Sequence, residues 1–236
     1  MVSFVLAHSP LTGPAAWGSM PNALRELGHH VLVLDIGDDS APPYGVRYVA
    51  AAAAQVAAAD PAGPLVLVAH SGAGYLLPQL GFTQRAARRG VAGYVFLDAG
   101  IPAPRPSTRL DLLAVEDAAM ADDLDVLLSA GGRFPPWTDD DLRELIPDDA
   151  LRAEVVASLR PRGRDFFSEV LPFPTGDVEW PDAPCGLLQT SAGYAATARS
   201  ARSRGWPVVE RDGGHLAACV DPHGVARDLL ALVDRL

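Results

Sequence analysis

Two side chains in this sequence stand in settings that make them reactive. Ser71 closes the apolar run Pro64-Leu65-Val66-Leu67-Val68-Ala69 within Ala69-His70-Ser71-Gly72-Ala73-Gly74, and a helix-like segment follows. A serine on a tight turn between a strand and a helix has its hydroxyl thrust out at the carboxyl edge of a sheet, and only small residues fit two places before and after it. Ala69 and Ala73 meet that limit. The same turn sets the Gly72 N–H at a helix N-terminus, aimed where negative charge would collect on a carbonyl oxygen under attack. A serine hydroxyl is a weak nucleophile until a base takes its proton. His215, in Asp212-Gly213-Gly214-His215, lies on a glycine-rich loop between the last apolar run and the last helical pattern, so its ring can swing toward Ser71 and accept that proton. His8, His29, His30, His70 and His223 lack this combination of position and flexible flanks.

Such a pair works only if a scaffold brings residues far apart in sequence to one place. Short apolar runs recur at Val2–Ala7, His30–Leu34, Pro64–Ala69, Gly93–Leu97, Cys185–Gln189 and Pro207–Val209. Bounded by turn residues and without strict alternation, they predict strands buried on both faces of a mainly parallel sheet of about six strands. Helical patterns separate them at Trp17–Leu27, Gly45–Ala58, Gly72–Arg89, Tyr194–Arg204 and Pro222–Leu236. Strand and helix in alternation predict an α/β fold with helices flanking the sheet. Pro78, inside the third helical pattern, predicts a kink or break there.

The rhythm stops between residues 101 and 183, where amphipathic stretches and proline-rich turns replace strands. The expectation is a single domain, residues 1–236, whose core (1–100 and 184–236) carries a helical cap (101–183) inserted before the last two strands. Trp137, Phe166, Phe167, Phe173 and Trp180 are expected to form mainly the cap's own small core.

Composition narrows the remaining classes. A net charge of −10 makes nucleic acid a poor partner. The longest apolar stretch, near Tyr48–Ala59, falls short of the roughly 20 residues a bilayer span needs, and the start of the chain does not read as a signal peptide. Cys185 and Cys219 are too few for a disulfide framework. These features predict a cytoplasmic protein, monomer or homodimer, without a membrane partner. Neither a dinucleotide-binding turn, a phosphate loop nor a zinc-type histidine pair occurs, so no cofactor or metal is expected.

With these motifs in hand, the chain resembles the α/β-hydrolase superfamily over nearly its whole length. The segment His8-Ser9-Pro10-Leu11-Thr12-Gly13-Pro14-Ala15-Ala16-Trp17 looks like the superfamily's oxyanion loop, followed in the expected order by the Ser71 and His215 motifs. The nearest flavour is that of small capped esterases, thioesterases, lactonases and hydroxynitrile-lyase-like proteins. The resemblance implies an α/β-hydrolase fold, an oxyanion hole from the N–H groups of Gly72 and Leu11, and a substrate wall that includes His8, Ser9, Pro10, Tyr75 and Trp137. Two departures stand out. The usual site of the triad acid, after the penultimate strand, reads Leu187-Leu188-Gln189-Thr190-Ser191-Ala192-Gly193-Tyr194 and holds no carboxylate. A known variation moves the acid one strand earlier, which points to Asp98, with Asp212 and Asp221 as weaker rivals and Asp35 as structural. Where relatives offer a backbone donor to the oxyanion, this chain has Pro10, which has no N–H; Leu11 N–H or the hydroxyls of Ser9 and Thr12 are the substitutes.

The implied activity is hydrolysis of an ester, thioester or lactone of a small, moderately apolar molecule through Ser71, His215 and Asp98. The alternatives are a lyase or cyclase using the same pair and a ligand-binding protein on the same fold.

Overall fold

The computed structural model describes residues 2–37, 41–174 and 179–236. Its strands are β1 (Ser3–Ala7), β2 (His30–Val33), β3 (Leu65–Ser71), β4 (Val91–Ala99), β5 (Cys185–Gln189) and β6 (Val208–Glu210). They form a six-stranded sheet in the order β2-β1-β3-β4-β5-β6, and every neighbouring pair runs parallel. The helices are α1 (Met20–Glu26), α2 (Tyr44–Ala59), α3 (Leu77–Ala86), α4 (Arg109–Glu116), α5 (Ala118–Ser129), α6 (Asp139–Leu142), α7 (Asp149–Ala157), α8 (Arg164–Ser168), α9 (Ala195–Ser203), α10 (Ala217–Val220) and α11 (Pro222–Val233). None is long and apolar enough to cross a membrane.

The apolar runs become a two-faced core because successive strand side chains point to opposite sides of the sheet. Val5, Leu65, Leu67, Tyr94, Phe96 and Leu187 pack with α2, α3 and α9 on one face. Phe4, Leu6, Val66, Val68, Val95, Leu97 and Leu188 pack with α1 and α11 on the other. Each such aliphatic side chain contributes about 1.5–3 kcal/mol when fully buried. The order of the strands reverses direction at β1, since β2 lies to one side of it and β3 to the other. In an open parallel sheet, the crevice beyond the strands' carboxyl ends at such a reversal is where ligands bind.

Three details differ from the sequence reading. The expected Gly72–Arg89 helix is a short 3-10 turn, Gly74–Leu76, followed by α3, so Pro78 falls in a first turn. There a missing N–H costs nothing and no kink follows. Trp17 closes a separate 3-10 turn, Pro14–Trp17, ahead of α1, where it is 1% exposed. Trp180 packs against the sheet side chains Phe96 and Tyr94 and against Trp206, so it belongs to the main core instead of the inserted segment.

Between β4 and β5 the chain runs through α4–α8. Residues 175–178 of that interval lie outside the described residues. The segment has two small clusters of its own. One joins Leu142, Ile146 and Val155 to Ala16 and Leu216. The other joins Leu124, Leu128, Phe166 and Phe167 to Tyr44. Good caps fix its helices: Thr108 with Asp111 and Thr138 with Asp141 form capping boxes, and Asp117 and Asp148 each accept an N–H three residues on.

Candidate active site

Ser71 is the last residue of β3 and has φ of +56°, a left-handed conformation unusual for a side-chain-bearing residue. The turn is tight: Ala69 and Ala73 are buried, and a Cβ added at Gly74 would collide with the Gly100 carbonyl oxygen. Strain of this kind persists where surrounding packing over-determines it, and it clusters at functional sites. The adjacent strand carries a matching distortion. His70 pairs with Leu97 and Ser71 with Ala99, so Asp98 is the extra residue of a bulge, with φ of +43°. Bulges re-aim side chains beside active sites.

The re-aimed carboxylate of Asp98 is fully buried and surrounded by donors. Its Oδ1 accepts the N–H groups of Thr190 (2.8 Å) and Ser191 (2.9 Å), and its Oδ2 accepts the Ser191 hydroxyl (2.5 Å). His215 Nδ1 completes the set at 2.8 Å from Oδ2. Burial pushes the Asp98 carboxyl up, but the bonds and charge from His215, with Ser191 and Thr190, outweigh it and hold the pKa below the ordinary carboxylate value. The loop after β5 thus places donors to a carboxylate where relatives commonly place the carboxylate itself. Of the rival acids, Asp221 is engaged elsewhere, capping α11 through Gly224 N–H and pairing with Arg211, and Asp212 is exposed.

His215 is held on both faces. The His70 ring stacks at 4.5 Å between centroids and the Tyr194 ring at 5.3 Å. His70 Nε2 donates to the His215 carbonyl oxygen at 2.9 Å, pinning the loop. Burial, then the neighbouring His215, push the His70 pKa down to about 3, so its ring is neutral and adds no charge beside His215. With Nδ1 bonded to Asp98, the His215 ring nitrogen not engaged by that carboxylate is Nε2. Ser71 Oγ is not hydrogen-bonded to it here; the hydroxyl lies 3.5 Å from the Tyr194 hydroxyl. Catalytic hydrogen bonds are commonly long before substrate binds and tighten in the complex.

Ser71 and His215 line one cavity of about 330 Å³, together with Ser9, Pro10, Leu11, Gly72, Tyr75 and Trp137. His8 is the exception among the residues expected there. It is fully buried, with Nδ1 2.8 Å from the Ser9 carbonyl and Nε2 accepting Ile36 N–H at 3.2 Å. Burial lowers its pKa to about 4, so a neutral ring braces the loop after β1 from behind. The loop after β1, expected to hold the oxyanion donors, also differs from expectation. Leu11 N–H points at Ser9 Oγ, 3.3 Å away, which leaves the Ser9 hydroxyl proton uncommitted. Ser9 Oγ would lie 3.7 Å from a Cβ built on Gly72, so it sits close to the turn that follows Ser71.

Phe166, Phe167 and Trp137 face the cavity as well as packing among themselves and their neighbours. Sequence reasoning missed Tyr194, Ser191, Arg109 and Glu116, which also line it. Tyr194 and Ser191 were within reach, since the loop after β5 leaves the same carboxyl edge of the sheet as Ser71, two strands away. Arg109 and Glu116 carry no sequence signal: they are ordinary charged residues at the two ends of an amphipathic helix.

With the fold and constellation established, comparison with known proteins becomes informative. Residues 4–228 match the Alpha/beta hydrolase family. The chain belongs to that family. Among solved structures, it superposes on tomato methylketone synthase I complexed with β-ketoheptanoate, at a TM-score of 0.70 and 18% identity over 99% of this chain and 98% of that one. A pyrethroid hydrolase from Sphingobium faniae JZ-2 gives 0.69 and 17%, with the same coverage. An extracellular α/β-hydrolase from a Paenibacillus species gives 0.67 and 16%, over 98% of this chain and 99% of that one. At these identities the likeness is one of fold. No curated protein sequence matches.

Proposed function

We propose that the protein is a serine hydrolase acting on an ester, thioester or lactone of a small molecule. The supporting observation is the 2.8 Å bond between His215 Nδ1 and Asp98 at the wall of the cavity that Ser71 also lines. His215 Nε2 takes the Ser71 proton as Oγ attacks the substrate carbonyl, and the imidazolium so formed is stabilised by Asp98. The oxyanion is met by Gly72 N–H and the Ser9 hydroxyl. His215 then protonates the leaving alcohol, thiol or ring oxygen, and water, deprotonated by the same imidazole, releases the acyl group. Helices α4–α8 act as the cap that roofs the cavity and excludes bulk water.

One observation favours a second reading in which Ser71 and His215 shuttle a proton without hydrolysis: Pro10 removes a backbone donor, and Leu11 N–H is turned toward Ser9. Losing one oxyanion donor costs about 3–4 kcal/mol in transition-state stabilisation. The two readings separate by product analysis with nitrophenyl esters, thioesters and lactones in isotope-labelled water. Hydrolysis places one labelled oxygen in the carboxylate and stops in Ser71→Ala. Cleavage or ring closure without label would establish the alternative.

A further inference from the structure

Arg109 opens α4 and lines the same cavity as Ser71, yet its side chain is only 4% exposed. Its guanidinium lies on the Phe166 ring, 3.7 Å from the centroid, so one face is covered. Nη1 donates to the Phe166 carbonyl at 2.8 Å and reaches Glu169 at 3.4 Å. Nε and Nη2 have no hydrogen-bond partner among the described residues and almost no surface open to the cavity, so a ligand reaches them only as neighbouring side chains shift. These two nitrogens form one edge of the planar group, the edge whose parallel N–H bonds fit the two oxygens of a carboxylate.

Nearby acids do not satisfy that edge. Glu169 stands beyond the 2.7–2.9 Å or so of a strong charge-assisted bond, and it also accepts Gly45 N–H at 3.1 Å. Glu116 accepts the Tyr75 hydroxyl at 2.8 Å on one oxygen and Ile101 N–H at 3.0 Å on the other. Asp117 caps α5 through Met120 N–H at 3.0 Å. Burial lowers the Arg109 pKa to about 10, so the group stays cationic at neutral pH. A buried cation with an unused bidentate edge, in a wall that also holds Leu113, Met120, Leu124, Phe134 and Phe167 beside the engaged carboxyl groups of Glu116 and Asp117, is suited to one polar feature on a largely apolar ligand.

We infer that Arg109 is a binding residue for a carboxylate on the substrate, remote from the reacting carbonyl, so that the substrate class is an acyl compound with an apolar chain and a free acid group. The assignment deepens the hydrolase reading, and its test must not depend on turnover. Levulinate and its longer methyl-ketone homologues, each paired with its primary amide, are titrated calorimetrically into the wild-type protein and into Arg109→Met and Arg109→Lys. In the wild type at least one acid should bind roughly tenfold to hundredfold more tightly than its amide, as expected for hydrogen bonds to a charged group. Arg109→Met should abolish that preference with amide affinity retained, which also reports that the pocket is intact; Arg109→Lys should keep part of it. Equal affinities of acid and amide in the wild type throughout the series, or a preference undiminished in both variants, would overturn the assignment. Failure of a fluorophosphonate to label Ser71 while the acid preference persists would instead reject the hydrolase reading and leave the subsite standing.

Discussion

The carboxyl edge of the sheet and the inserted helices meet at one cavity but treat polar groups in opposite ways. At the sheet edge Asp98 is saturated with four hydrogen bonds, and His215 is fixed by one bond and two stacked rings. On the inserted side Arg109 keeps two nitrogens unpaired, and burial raises the Glu116 carboxyl to a pKa of about 7. The proposed reaction needs groups whose positions do not change: Ser71 and Asp98 sit at strand ends held by ladders, and His215 on a loop pinned by the His70 bond. Recognition needs capacity left open for a ligand, and that capacity is found on helices outside the sheet.

This contrast can be broken in order of expected effect. Ser71→Ala or His215→Ala should lower kcat for ester hydrolysis by about four to six orders of magnitude, measured with a chromogenic ester. Asp98→Asn should lower kcat by about four orders of magnitude, because an amide nitrogen facing Nδ1 selects the tautomer with its proton on Nε2. The thermal midpoint should still show a folded protein, since the Asn carbonyl can accept the Thr190 and Ser191 N–H groups. Ser9→Ala should cost only about tenfold in kcat, with little change in KM. That is less than the hundredfold or more usual for an oxyanion donor, because Leu11 N–H is released to take its place.

The smallest effect concerns the inserted side. The folded-state pKa of Glu116 lies near 7, above its ordinary value of 4.5. Between those values the folded protein holds a proton that the unfolded chain releases, so rising pH destabilises the fold across that window. The groups around it are the hydroxyls of Tyr75 and Tyr194, both pushed up by burial and neutral there, and the Ile101 N–H that it accepts. Glu116→Gln should therefore gain about 2–3 kcal/mol on the wild type between pH 5 and pH 8 in denaturant titrations. An unchanged difference would mean that Glu116 is solvated like a surface acid.

Legibility in the sequence follows the same divide. The six apolar runs were readable because strands buried on both faces need uninterrupted apolar residues, and Ser71 and His215 because their turns demand small neighbours. Asp98 was reached only through the resemblance, by the emptiness of the segment after β5; what had replaced the acid there, two N–H groups and a hydroxyl, leaves almost no mark in residue types. His8 misled because a motif gives order along the chain and not the side to which a ring turns. Arg109 was invisible, since its unpaired edge is a property of the cavity and not of any local pattern.

The most direct measurement is intact-protein and peptide mass spectrometry after exposure to a fluorophosphonate. Stoichiometric phosphonylation confined to Ser71, absent in Ser71→Ala and slowed by orders of magnitude in His215→Ala, is the predicted result. A wild-type protein that stays unlabelled at Ser71, or labels equally fast without His215, would contradict the account.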